Sequence, residues 1–189
     1  MQYQDTAHKI ATLRKEIAKL RSEMNAARAK AEPVEFPDYA LERAGGGKVK
    51  LSDLFGDKNN LIVIHSMGAG CSYCTMWADG FNGVYDHLAN KAAFVVASPD
   101  PPQAQKKFAD GRGWRFPIVS TKGTSFAKDL GYEEGGGPTP GLSIFTRQNG
   151  KIMRVADEPF SPGDDFCIVW QVFDLLPGGA GGWGPKYKY

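Results

Sequence analysis

A chain of 189 residues with 42% hydrophobic side chains can bury one domain-sized core, and a net charge of +2 from 23 basic and 21 acidic residues gives no electrostatic footprint for nucleic acid. Three cysteines are too few for a secreted disulfide framework, no apolar run approaches the roughly 20 residues of a membrane span, and the charged N-terminus contains no visible signal peptide. Composition thus points to a folded protein of a reducing cytoplasm, with neither nucleic acid nor membrane as partner, and leaves function to individual residues.

The first predicted element covers residues 6 to 31, where Lys and Arg alternate with Glu and apolar residues recur at Ile10, Leu13, Ile17, Leu20, Met24, Ala27 and Ala31. This three-four spacing is a heptad seam. It predicts a coiled-coil-like helix over residues 1–33, ended by Pro33 and Pro37, through which copies of the chain could form a homo-oligomer. The alternative is an amphipathic helix packed on its own domain.

A domain is expected over residues 34–177. Tyr39 to Glu42 and Val49 to Leu51 read as strands around a Gly45-Gly46-Gly47-Lys48 tip, and Ser52 opens a short turn ending near Phe55. Leu61 to Ile64 is a continuous apolar run, as expected of a strand covered on both faces. A helix follows from Cys71 to about Asn90, bent or interrupted at Gly80 and Gly83. Ala93 to Ala97 is a second buried strand, Pro101 to Phe108 a helix, Phe116 to Ser120 a short strand, and Ser125 to Leu130 one or two helical turns. Beyond the Gly135-Gly136-Gly137 loop, Gly141 to Thr146 and Lys151 to Val155 form a hairpin about Asn149-Gly150, and Phe166 to Leu176 is a closing helix. The tail, residues 178–189, is rich in glycine and carries Trp183, Tyr187 and Tyr189, which either leave it free or dock it.

The chemistry is expected where the Leu61 strand ends, in His65-Ser-Met-Gly-Ala-Gly-Cys71-Ser-Tyr-Cys74. Amides at a helix start stabilise a thiolate, so a C-x-x-C pair opening a helix makes Cys71 the candidate nucleophile and Cys74, one turn inward, its resolving partner. His65 and Met67 add soft ligands upstream, and with Cys71 and Cys74 they form a candidate copper or zinc set. His65 could instead favour the Cys71 thiolate electrostatically. Trp77 lies three residues beyond Cys74, for core packing or shielding of the dithiol, and Asp79 is a candidate proton-transfer carboxylate or a solvated one. Cys167 lies in an apolar run and reads as a core residue, with a distant resolving cysteine as its alternative.

The order strand, C-x-x-C helix, strand, helix, X-Pro, hairpin, closing helix resembles the thioredoxin superfamily, and the Leu51-Ser-Asp-Leu-Phe55 entry resembles its peroxiredoxin-like branch. More narrowly, Gly70 to Gly83, Gly113-Trp-Arg-Phe-Pro117 and Thr139-Pro-Gly-Leu-Ser143 resemble the family called domain of unknown function 899. The resemblance implies an α/β thioredoxin-like fold, a central mixed sheet flanked by helices, and a redox role. It also implies that Pro140 occupies the superfamily's cis-proline position, with Thr139 offering its backbone to an extended substrate beside the dithiol. Ser72-Tyr73 departs from the Gly-Pro of thioredoxin, and Ile64 and Gly68 stand where peroxiredoxins have Pro and Thr or Ser before the cysteine.

The leading expectation is therefore a thiol-disulfide oxidoreductase that reduces a protein or small-molecule disulfide with electrons from an unidentified donor and needs no cofactor. A thiol peroxidase of peroxiredoxin-like type is the first alternative. The second is a non-enzymatic copper or zinc protein using His65, Met67, Cys71 and Cys74.

Overall fold

The computed structural model describes residues 3–189 and divides the chain into two compact units, Met1–Pro33 and Val34–Tyr189. The first holds helix α1 (Tyr3–Arg28), in which no residue is buried; Ile10, Leu13, Ile17, Leu20 and Met24 are each 45 to 58% exposed. Charged positions flank this stripe on both sides, so the helix keeps a narrow apolar seam rather than a broad core-facing surface.

The second unit is built on an eight-stranded mixed sheet in the order β1-β10-β9-β4-β5-β6-β2-β3. Its strands are β1 (Val34–Phe36), β2 (Ala40–Arg43), β3 (Lys48–Lys50), β4 (Asn60–His65), β5 (Ala93–Ser98), β6 (Ile118–Ser120), β9 (Gly141–Gln148) and β10 (Lys151–Pro159). A two-stranded hairpin, β7 (Glu133–Glu134) with β8 (Gly137–Pro138), stands apart. The helices are α2 (Ser72–Gly83), α3 (Tyr85–Lys91), α4 (Pro102–Arg112), α5 (Phe126–Asp129) and α6 (Ile168–Phe173), with a 3-10 turn at Leu51–Phe55.

Strands β4, β5 and β6 are parallel and central, and β9 runs antiparallel beside β4 with His65 opposite Gly141. Each side of this sheet has its own core. Leu61 and Val63 face one cluster with Phe36, Phe55, Phe126 and Phe145. Ile64 and Ile62 face the other, with Cys74, Trp77, Phe94, Phe116 and Trp170. The continuous apolar run of β4 follows from this double coverage, because both sets of alternate side chains leave water.

Several elements differ from the sequence expectation. The helix from Cys71 is interrupted after Gly83, as expected, and runs as two helices about Val84, whereas Gly80 leaves α2 unbroken. The glycine loop contains the β7–β8 hairpin, and Val34–Phe36 is an edge strand on β10. Helix α6 is shorter than predicted, running only from Ile168 to Phe173. The hairpin turn at Asn149-Gly150 has both residues at positive φ, 52° and 77°, which suits the right-handed twist of β9 and β10.

The tail belongs to the second unit. Trp183 packs edge-on against Trp170 and Phe173, Tyr187 against Phe108, and Arg112 Nη1 donates to the Tyr187 carbonyl at 3.2 Å.

At the start of β9, a Cβ on Gly141 would overlap the Tyr132 ring and lie 2.7 Å from the Glu158 carbonyl oxygen. Backbone on a paired strand cannot yield cheaply, so Gly141→Ala is expected to cost about 1–3 kcal/mol of stability, read as a lowered denaturant midpoint with unchanged slope. An unchanged midpoint would contradict this close approach.

Candidate active site

Cys71 occupies the N-cap of α2, with extended dihedrals, and its sulfur accepts a hydrogen bond from the Cys74 amide at 3.1 Å. Both cysteines are free; Cys71 is half-buried and Cys74 is buried. The Cys74 thiol donates to the Cys71 sulfur, and this bond, with the Cys74 and Tyr73 amides, pulls the Cys71 pKa down to about 6 against the opposing cost of burial. The same bond holds the proton on Cys74 and, with burial, pushes its pKa strongly upward. At neutral pH these opposite shifts favour a thiolate on Cys71 and a thiol on Cys74.

The loop before Cys71 is braced from β5. Asp100 Oδ2 accepts from the Ala69 amide at 2.7 Å, and Gly68, at φ 102°, lies so close that a Cβ would come 2.9 Å from that carboxylate. Glycine is required here by conformation and by space together. Asp100 is in turn fixed through its carbonyl, which accepts from Gln105 Nε2 at 2.8 Å and Ser120 Oγ at 2.7 Å. Sequence reasoning missed Asp100 because it lies far from the cysteines in the chain; only the pairing of β4 with β5 brings it to their loop. Ser66 was missed likewise: its hydroxyl reaches the Cys74 sulfur, which also accepts from the Met67 amide at 3.4 Å.

His65 does not join the cysteines. It follows Ile64 on β4, so its side chain leaves the sheet on the face opposite Ile64 and Cys74, where it stacks on Tyr132 with centroids 3.8 Å apart. Burial, with the positive charge of Arg154, lowers its pKa to about 3 and keeps it neutral. Its Nε2 meets Ser143 Oγ at 2.9 Å, and Ser143 donates to Asp157 Oδ1 at 2.6 Å. The expected set of His65, Met67, Cys71 and Cys74 is thus split by the sheet, and His65 cannot act directly on the Cys71 thiolate. Among the described residues, no group of three His, Cys, Asp or Glu side chains is arranged to hold a metal ion.

Trp77 is buried in the Cys74 cluster against Phe160, its Nε1 donating to Asp164 Oδ1 at 3.3 Å. Asp79 is a partly exposed carboxylate held in an ion pair. It pairs with Arg112, whose Nε donates to Oδ1 at 2.9 Å, and accepts from Trp114 Nε1 at 2.8 Å, so it ties α2 to α4. Cys167 is buried at the start of α6, and burial raises its pKa. Thr139 and Pro140 lie just before the β9 residue that pairs with His65, at the same sheet end as the dithiol loop. Their expected geometry needs correction. No cis peptide bond occurs among the described residues, so the bond before Pro140 is trans; the Thr139 amide is engaged with the Tyr132 carbonyl at 3.0 Å.

The family model described as a bacterial protein of unknown function, DUF899, matches residues 1–188. The chain belongs to this family. Among curated proteins, peroxiredoxin bcp1 of Schizosaccharomyces pombe is 27% identical over 143 residues, which cover 75% of this chain and 66% of the relative, just under two thirds of its length. Peroxidoxin BcpB from Mycobacterium tuberculosis is 26% identical, with a TM-score of 0.56 over 68% of this chain and 86% of its own. The bacterioferritin comigratory protein of Xanthomonas campestris is 16% identical, with a TM-score of 0.55 over 64% and 80%. This DUF899 protein accordingly has a thioredoxin-like fold of the peroxiredoxin-like branch. No helix among the described residues is long and apolar enough to cross a membrane.

In the DUF899 chain the two peroxiredoxin-pattern positions have other duties. Ile64 fills the Cys74-side core, and Gly68 forms the turn against Asp100. The feature available for chemistry is the asymmetric dithiol itself. The rate of Cys71 alkylation by iodoacetamide is expected to rise with pH through a midpoint near 6, following the thiolate fraction. In Cys74→Ala, which removes the thiol donor, the midpoint moves up toward the ordinary cysteine value of about 8.5. Equal midpoints in the two proteins would contradict the sulfur-sulfur hydrogen bond.

Proposed function

We propose that this protein is a thiol peroxidase that works through the Cys71/Cys74 dithiol. The observation that carries the reading is the thiolate-thiol pair at the start of α2: a nucleophile ionised at neutral pH beside a protonated partner. Kinship with proteins named as peroxiredoxins favours peroxide over a disulfide as the first oxidant, which reverses the order expected from the residues alone.

The Cys71 thiolate attacks one peroxide oxygen; the S–O bond forms, the O–O bond breaks, and the departing alkoxide or hydroxide takes a proton to leave as alcohol or water. Cys71 is now a sulfenic acid. Cys74 then attacks its sulfur; an S–S bond forms, and the displaced hydroxide leaves as water with the Cys74 proton. Two external thiol groups return two electrons and two protons to the disulfide and are themselves joined as a disulfide. The cycle uses no metal or other cofactor, and a reducing compartment such as the cytoplasm supplies its donor.

The second reading, reduction of a protein or small disulfide, is favoured by the C-x-x-C spacing and by Ile64 and Gly68 at the peroxiredoxin-pattern positions. Peroxide consumption coupled to a thiol donor decides between them. Native protein is expected to turn over, Cys71→Ser to consume none, and Cys74→Ser to consume one equivalent and stop. Disulfide reduction without peroxide consumption would replace the peroxidase reading by the second one.

We also propose that the heptad seam of α1 joins two or more copies of the chain, since its apolar stripe is narrow and flanked by charge. Sedimentation equilibrium of a chain beginning at Val34 is expected to give a lower mass than the whole chain. Equal masses would refute the pairing.

A further inference from the structure

The C-terminal tail makes contacts on both flanks of Cys71. Turns at Gly178 and Gly179, at φ 84° and 61°, redirect the chain after α6. Trp183 then packs edge-on against Trp170, which stacks on Tyr73, and a Cβ on Gly184 would lie 3.4 Å from the Tyr73 hydroxyl. Pro185 is buried. Beyond it, Tyr187 and Lys188 line a cavity of about 390 Å³ together with Ala69, Phe108 and Arg112. Tyr73 is two residues after Cys71 and Ala69 two residues before it. The stretch from Gly184 to Lys188 therefore runs from the helix side of Cys71 to its loop side.

The contacts that hold this stretch are few. Arg112, which clamps Asp79, donates from Nη1 to the Tyr187 carbonyl at 3.2 Å, and the Tyr187 ring meets Phe108 edge-on with centroids 6.4 Å apart. The Lys186 amide donates to the Tyr189 hydroxyl at 3.1 Å, closing the last residues into a turn. Tyr187 itself is 42% exposed, so the tail is docked at the low-stability end of the structure, where local release costs little. Burial, and then the charge of both cysteine sulfurs, raise the Tyr187 phenol pKa, which accords with a ring near the dithiol.

We infer that the tail is a size filter over Cys71, set by the Tyr187 ring: peroxides and low-molecular-weight thiols reach the sulfur, and the disulfides of folded proteins do not. The choice of peroxide as oxidant rests on the dithiol cycle proposed above; the filter does not. Attack on a disulfide needs the three sulfurs in line, and a protein disulfide brings its own backbone into the space that Gly184 and Tyr187 border. Hydrogen peroxide brings no flanking chain.

Alkylation of Cys71 by N-ethylmaleimide, and by a maleimide bearing a polyethylene glycol chain, consumes the same thiolate, so the ratio of the two rates reports access and not pKa. In Trp183→Ala/Tyr187→Ala the ratio of bulky to small reagent is expected to rise at least about tenfold, because the bulky one reacts with native protein only while the tail is released. Tyr187→Ala alone should raise it too, and Tyr187→Phe, which keeps the ring, should leave it at the native value. An unchanged ratio in the double variant overturns the filter, and a rise there without one in Tyr187→Ala overturns the role of that ring. Cys74 and Cys167 are buried, so their labelling reports unfolding; if the double variant labels them, Tyr187→Ala decides. Reduced native protein is expected to leave insulin disulfides intact, and their reduction overturns the substrate class. If native protein consumes no peroxide, the peroxidase reading fails, and the maleimide ratio still decides the filter.

Discussion

The structure depends on one constraint, the burial of β4 on both faces. A strand so covered must send alternate side chains into separate cores, and residues adjacent in sequence end on opposite sides of a wall of paired backbone. Ile64 faces the cysteines, and His65 faces Tyr132 and Ser143. The cysteine pair and the His65–Ser143–Asp157 network therefore lie on opposite faces of the sheet, although only five residues lie between His65 and Cys71. Ser66, the next residue, leaves the strand, and its hydroxyl reaches the Cys74 sulfur.

The dithiol owes its asymmetry to position on the helix. Cys71, at the N-cap, receives amides that the first turn leaves unpaired, whereas Cys74 is carried one turn inward among Trp77, Phe160 and Trp170. Hydrogen bonding and burial thus act in opposite senses on two sulfurs of the same type. Asp100 contributes without touching either sulfur. It holds the Gly68–Ala69 turn, and through it the point at which the chain enters α2.

Around this site the second unit is tied together by aromatic packing and by charged contacts, among them the Asp79 clamp and the Arg115–Asp86 pair. Asp79 joins Arg112 and Trp114, and Arg112 also holds the tail through the Tyr187 carbonyl. The tail is thereby carried toward the dithiol helix: Gly184 lies under the Tyr73 hydroxyl, and a Cβ there would be 3.4 Å from it. Burial, and then the charge of the Cys71 and Cys74 sulfurs, raise the Tyr187 phenol pKa.

Features set by local pattern were legible in the residues. The heptad seam, the doubly covered β4, the Asn149-Gly150 hairpin and the C-x-x-C at a helix start all depend on spacing, turn chemistry or capping within a few positions, so sequence by itself determined them together with the thioredoxin-like fold. Tertiary structure alone decided which neighbours share a face. It removed His65 from the cysteines, turned Asp79 into half of a clamp, and brought Asp100 to the dithiol loop. Each of these outcomes rests on strand pairing or helix packing between distant segments. Local periodicity specifies which residues are buried, but not what they are buried against.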